Sequence, residues 1–323
     1  MDLVNEFYPN RFWRNPHLQT IWPLVCRPRR APRLTRQRLE LADGDFLDLD
    51  WLIRPEQQQP ILLLIHGLEG NADSHYIRRM LLQAQHVGQA VVVMHQRSCS
   101  GEMNRLLRSY HSGASDDIAA VVATLQQHYP QSPLWAVGYS LGGNQLAKYL
   151  GETATSSGLE RAAVVSAPLE LAACAKRMEA GFSRIYQRRL LKQMQQKTEQ
   201  KLAMFPQFTL PQPVTSLNTF YQFDDVVTAP TNGFDDAPDY YRRASGKPYI
   251  AQIETPTLLL HALDDPFMTE AVVPEQIAPA VTMELHPYGG HVGFIAGGWP
   301  WAPKFYLEQR LFDFFNNNAV QPN

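Results

Sequence analysis

An α/β fold with a mostly parallel central sheet is predicted by three observations on the sequence. Apolar runs of strand length alternate with stretches of helical periodicity, and continuous apolar runs suit strands buried on both faces. Gly138-Tyr139-Ser140-Leu141-Gly142, a G-x-S-x-G pentapeptide, falls at one strand-to-helix junction. The alternation lapses after Pro168 and resumes at Pro256, which predicts one sheet domain interrupted by a helical insertion.

The elements follow in order. Residues 39–43 and 46–51 alternate about Gly44 and predict a hairpin with one wet face. Residues 61–65, bounded by Pro60 and Gly67, form a run that suits a buried parallel strand. A helix is expected over 73–87, then a buried strand over 90–94. Ile118, Val121, Val122 and Leu125 share one face of a helix over 114–128. A strand at 134–137 enters the pentapeptide and a helix over 141–154 leaves it. The next strand, 162–166, is closed by Pro168. Strands return at 257–261 and 281–285, and a helix from about 302 to 315 ends the chain. Residues 1–169 and 251–323 thus make the core domain, and 170–250 a helical lid insertion.

Composition narrows the class. Of 323 residues 45% are hydrophobic and 19% charged, the balance of a soluble globular protein. A net charge of -2 gives no electrostatic reason to expect a nucleic-acid partner. Cys26, Cys99 and Cys174 are odd in number and widely spaced, which argues against a disulfide framework or a zinc site and for a reducing compartment. The start, Met1-Asp2-Leu3-Val4-Asn5-Glu6, lacks the basic and apolar regions of a signal peptide. No apolar run approaches the roughly 20 residues that span a bilayer. A cytoplasmic protein with no transmembrane segment, no cofactor and no metal is expected.

The pentapeptide carries the chemistry. A serine on a sharp strand-to-helix turn is lifted out of the sheet, and the flanking glycines leave room for the strained backbone. Its hydroxyl is a poor nucleophile until a base in hydrogen-bond reach takes the proton, and the base needs an acid to orient it. The order nucleophile, acid, base is filled beyond the two late strands. Asp265, just before Pro266, is the preferred acid, with Asp264 the alternative. His291, after Gly289 and Gly290, is the preferred base; His286, at the strand end, reads as structural. Backbone N–H groups must receive the developing oxyanion. Leu141, at a helix start, and Leu68, in the turn His66-Gly67-Leu68-Glu69-Gly70, are the expected donors, while His66 reads as a residue that bonds its own loop.

Further marks are Asn15-Pro16-His17-Leu18-Gln19-Thr20, Arg97-Ser98-Cys99-Ser100-Gly101, Asp239-Tyr240-Tyr241 with Ser245, Asp264-Asp265-Pro266 and Gly289-Gly290-His291. With the pentapeptide, these resemble the α/β-hydrolase superfamily and, within it, the EMB8/YheT-like esterase family, which includes the mammalian α/β-hydrolase domain proteins 1, 2, 3 and 15. The marks span nearly the whole chain. The resemblance implies an α/β-hydrolase fold and a triad of Ser140, Asp265 and His291. Ser98 departs from it, since many relatives carry glycine after the arginine. Several eukaryotic relatives are membrane-anchored and act on acylglycerols or phospholipids.

The insertion should govern substrate choice. Between residues 176 and 201 eight basic side chains face two acidic ones, with Met178, Phe182, Ile185, Leu190, Leu191 and Met194 interleaved. A lid helix with a solvated face is the favoured reading; peripheral contact of a basic helix with an anionic membrane is the other. Phe205, Phe208, Phe220, Tyr221 and Phe223 are candidates either to line an acyl pocket or to form the insertion's own core. The expected function is serine carboxylester hydrolysis of a small-molecule acyl ester through an acyl-enzyme. The alternatives are acyl transfer by the same triad, or a non-catalytic binding protein on the same fold.

Overall fold

The computed structural model describes residues 7–28, 31–56 and 58–316. A short helix α1 (Pro16–Val25) precedes the sheet. Strands β1 (Thr35–Glu40), β2 (Phe46–Ile53), β3 (Ile61–Ile65), β4 (Ala90–Met94), β5 (Leu134–Tyr139), β6 (Arg161–Val165), β7 (Thr257–Ala262) and β8 (Val281–His286) form one sheet in the order β1-β2-β4-β3-β5-β6-β7-β8. From β4 to β8 all pairs are parallel; β1 and β2 are antiparallel to their neighbours. The crossovers run through α2 (His75–Val87), α3 (Ser115–His128) and α4 (Leu141–Thr153).

The apolar run of β3 is explained by its two faces. Ile61, Leu63 and Ile65 join a core cluster with Ile118 and Leu146 of α3 and α4, whereas Leu62 and Leu64 join a cluster with Ile77 and Met80 of α2. Both faces are roofed, so neither tolerates alternation with polar residues.

The first hairpin departs from expectation. Its first strand is 35–40 rather than 39–43, and β2 is buried on both faces, with Asp48 and Asp50 inside. Arg38 and Arg36 on β1 each grip one of these carboxylates with paired N–H donors, at 2.9 and 3.0 Å for Asp48 and 2.8 and 2.9 Å for Asp50. Burial would raise the Asp48 pKa, but hydrogen bonds from Arg38 and Ser100 outweigh it and hold it below the ordinary value. The charged partners, not water, satisfy that face.

The chain end also differs. Residues 302–305 are not helical but form β10 (Ala302–Phe305), antiparallel to β9 (Ile295–Trp299), and the terminal helix is Leu307–Asn316. Pro303 disfavours the helical region at the residue before it, which keeps Ala302 extended.

Between β6 and β7 the described residues hold helices and turns and no strand: α5 (Leu171–Met178), α6 (Ser183–Met204), α7 (Phe220–Phe223), a π-helical turn (Asp224–Thr228), α8 (Ala229–Thr231) and α9 (Ala237–Ala244). They carry their own apolar clusters, one around Leu171, Tyr240 and Tyr241 and one around Leu191, Leu217 and Phe223. With these named, the terminal helix is α10. No helix among the described residues is long and apolar enough to cross a membrane.

Candidate active site

Ser140 caps α4 directly after β5, with φ 52° and ψ -122°. This left-handed backbone is strained for a residue with a Cβ. Its neighbours must be glycine because the turn is tight. A Cβ on Gly138 would overlap the Gly142 carbonyl, and one on Gly142 would lie 2.5 Å from the His66 carbonyl oxygen.

Parallel strands end on one edge of the sheet, so residues just beyond β5, β7 and β8 become neighbours. The Ser140 Oγ lies 3.0 Å from His291 Nε2, and His291 Nδ1 lies 2.8 Å from Asp265 Oδ2. A carboxylate only accepts, so Nδ1 carries the proton and Nε2 is free to accept from the serine hydroxyl. Asp265 is fixed in turn, since its Oδ1 accepts from the Phe267 N–H at 2.8 Å. Asp264 does not touch His291. Its Oδ1 accepts from the Gly290 N–H at 2.9 Å, tying the acid loop to the histidine loop, and burial pushes its carboxyl up to about 6.

The histidine loop is held from three sides. The Phe267 ring stacks on the His291 ring with centroids 4.0 Å apart. The His291 N–H donates to Thr20 Oγ at 3.0 Å, and Thr20 donates to the Pro16 carbonyl at 2.8 Å. Gln19 accepts from the Ile295 N–H at 2.7 Å. Gly290 has φ +57° and no room for a Cβ, which would sit 2.6 Å from that of Gln19. The Asn15–Thr20 motif thereby acquires a physical role. Asn15 caps α1 by accepting from the His17 and Leu18 N–H groups, and the helix presents Gln19 and Thr20 to the histidine loop.

The two expected oxyanion donors border the same cleft as Ser140 and His291. Leu141 is the first residue of α4, so its N–H has no acceptor within the helix. Leu68 follows Gly67, where a Cβ would press to 3.0 Å of the Ser140 Cβ. His66 stays in its loop. It accepts from the Gln96 N–H at 3.0 Å and meets the Gly67 carbonyl at 2.8 Å, and burial lowers its pKa to about 3. His286 is buried among Phe7, Phe294 and Tyr306, away from Ser140.

Glu69, next to Leu68, has φ 54° and is anchored twice. Tyr110 OH accepts from its N–H and donates to its Oε1, both at 2.8 Å. Lys197 Nζ of α6 lies 2.8 Å from its Oε2 and 3.1 Å from Cys99 Sγ. Lys201 is also turned inward, donating to the Asn104 carbonyl at 2.6 Å and to that of Leu106. Two of the eight basic side chains of the 176–201 segment therefore serve the interior. Ser98, in place of glycine, has φ 64°; its Oγ donates to Asn104 Oδ1 at 2.6 Å and accepts from the Asn104 N–H at 3.1 Å.

The cleft, about 790 Å³ with the solvent it opens onto, is lined by Met178, Leu190 and Met194 of α5 and α6. Of the five aromatics weighed between lining the cleft and forming the insertion's own core, Phe220 alone lines it. Phe208 and Phe223 border an adjoining cavity, Phe205 lies beside Lys201, and Tyr221 is 45% exposed. Phe220, Tyr221 and Phe223 share one four-residue helical turn and so point to different sides of it.

Comparison with known proteins agrees with the fold. The family model described as alpha/beta hydrolase fold matches residues 60–297. The chain is 45% identical over 318 residues to YheT of Escherichia coli strain K12, provisionally named an esterase, covering 96% of this chain and 92% of that protein. It is 27% identical to human phospholipase ABHD3, covering 99% of this chain and 80% of the relative. The solved structure of the Pyrococcus furiosus esterase Pf2001 superposes with a TM-score of 0.55 at 15% identity, covering 88% of this chain and 89% of the other, a likeness of fold.

Proposed function

The chain belongs to the YheT/EMB8-like branch of the α/β-hydrolase fold family and is a hydrolase of ester substrates, and on that premise we propose that it cleaves carboxylic esters through Ser140, His291 and Asp265 by way of a covalent acyl-enzyme. The observation that carries this reading is the relay from Ser140 Oγ to His291 Nε2 at 3.0 Å and from His291 Nδ1 to Asp265 at 2.8 Å, at the floor of an apolar cleft.

In this mechanism Ser140 Oγ attacks the ester carbonyl while His291 Nε2 takes its proton. Asp265 stabilises the imidazolium that forms. The tetrahedral oxyanion accepts hydrogen bonds from the Leu68 and Leu141 N–H groups, aided by the positive end of α4. Collapse expels the alcohol, protonated by His291, and leaves the acyl group on Ser140. Water, deprotonated by His291, attacks the acyl-enzyme and releases the acid. Residues 170–250 act as a lid whose apolar side lines the acyl pocket. A cytoplasmic location fits the three unpaired cysteines.

Turnover of p-nitrophenyl butyrate tests the reading. Wild type hydrolyses the ester and Ser140→Ala loses at least about 10³-fold in kcat; equal rates from the two proteins would reject the assignment.

A further inference from the structure

The cleft over Ser140 has an apolar lining with one carboxylate, Asp224. Asp224 is 8% exposed and opens the π-helical turn of the insertion. π turns inside helical segments are costly and recur at functional sites. Tyr241 OH donates to its Oδ2 at 2.8 Å and Thr228 Oγ donates to its Oδ1 at 2.7 Å. These bonds orient the carboxylate and leave one lone pair on each oxygen. They do not compensate its charge. Burial raises its pKa to about 6, and the two hydroxyls pull the other way; no cationic side chain contributes. Among the described residues no Lys, Arg or His pairs with it, although buried carboxylates ordinarily have such a partner. His111, which also borders the cleft, does not supply the charge, because burial lowers its pKa to about 4.

The surroundings suit a cation. Tyr240 and Tyr241, with ring centroids 5.4 Å apart, border the cleft together with Phe220 and Tyr110. Aromatic faces beside a carboxylate attract an ammonium group through the ring quadrupole and the full charge together. A hydrocarbon chain fits the Met and Leu walls but leaves Asp224 uncompensated. A carboxylate or phosphate there is repelled.

We propose that Asp224, oriented by Tyr241 and Thr228 and flanked by Tyr240, is a cation subsite of the cleft that selects esters carrying a protonated primary amine on the part that fills the cleft. The substrate role rests on the esterase reading above; binding of an amine does not. A role confined to holding Tyr241 and Thr228 together predicts no discrimination between an amine and its neutral counterpart.

Calorimetric titration of n-pentylammonium and of 1-pentanol at pH 7.5 tests the subsite, with wild type and with Ser140→Ala, so that loss of hydrolysis leaves the readout intact. Both proteins should bind the ammonium at least about tenfold more tightly than the alcohol, and Asp224→Asn should bring that ratio to about one. Equal affinities in wild type, or a ratio retained in Asp224→Asn, overturn the proposal. A crystal of the unmutated protein soaked with n-pentylammonium gives a second readout that needs no variant. Nitrogen within hydrogen-bond distance of the Asp224 carboxylate supports the subsite, and nitrogen elsewhere or no bound amine contradicts it.

Discussion

Lys197 on α6 and Glu69 beside the Ser140 turn form an ion pair of 2.8 Å that joins the inserted helices to the loop bearing Leu68. Glu69 holds a left-handed backbone with φ 54°, a conformation that costs of order 1–3 kcal/mol and persists only when its surroundings impose it. Lys197→Met should loosen this loop and misplace the Leu68 N–H. The expected result is a fall in kcat of about tenfold with little change in KM, because the donor acts mainly in the transition state. Lys197→Arg should restore most of the rate. Steady-state kinetics with p-nitrophenyl butyrate separates this from a general loss of folding, which lowers active enzyme without regard to the conservative variant.

The neighbouring carboxylates should differ sharply. Asp265 bonds the histidine ring, so Asp265→Asn disturbs its tautomer and should cost about 10³–10⁴ in kcat. Asp264 bonds the backbone of the Gly290 loop rather than the histidine ring, so Asp264→Asn should cost about tenfold or less. A ranking in the reverse order in kinetic assays contradicts the geometry of the acid loop.

Thr20 accepts from the His291 N–H in a closely packed place. Thr20→Val keeps the shape and leaves that donor without its partner, which costs about 1–3 kcal/mol. Urea unfolding should show this loss, and kcat should fall with it, because the same bond sets where the imidazole stands. An unchanged kcat would mean that Phe267 and Asp265 position the ring unaided.

Acid should weaken the fold through the buried His66 imidazole. His66 is fully buried and its pKa is lowered to about 3, mainly by burial. Below the unfolded value of about 6.5 the unfolded chain binds a proton that the folded one refuses, so stability falls as pH drops. The loss is about 1.4 kcal/mol per pH unit between roughly 6.5 and 3, and nothing from this group above 6.5. Chemical denaturation from pH 8 to 5 reads this decline, which the Asp224 and Asp264 carboxyls, raised to about 6, oppose in wild type and in the variant alike. His66→Gln, which keeps an acceptor for the Gln96 N–H, should make the decline shallower by about that slope.

The central strands were legible because they are buried on both faces and punctuated by Pro and Gly, as Ile61–Ile65 shows. Ser140, Asp265 and His291 could be named because each follows a strand, and parallel strands bring their ends to one edge. Asp48 and Asp50 misled because alternation ordinarily signals water, and here two arginines of the neighbouring strand take its place. The contacts of Lys197 with Glu69 and of Tyr241 with Asp224 lie beyond periodicity, since they depend on how the inserted helices dock. Gln19 and Thr20 carried a signal, the Asn15-Pro16 helix start, but nothing local says which loop that helix meets.

The nucleophile itself is tested most directly by intact-mass analysis after treatment with a fluorophosphonate. Wild type should gain a single adduct that peptide mapping places on Ser140, and Ser140→Ala should gain none. A folded wild type that resists labelling, or an adduct that persists in Ser140→Ala, would contradict the account.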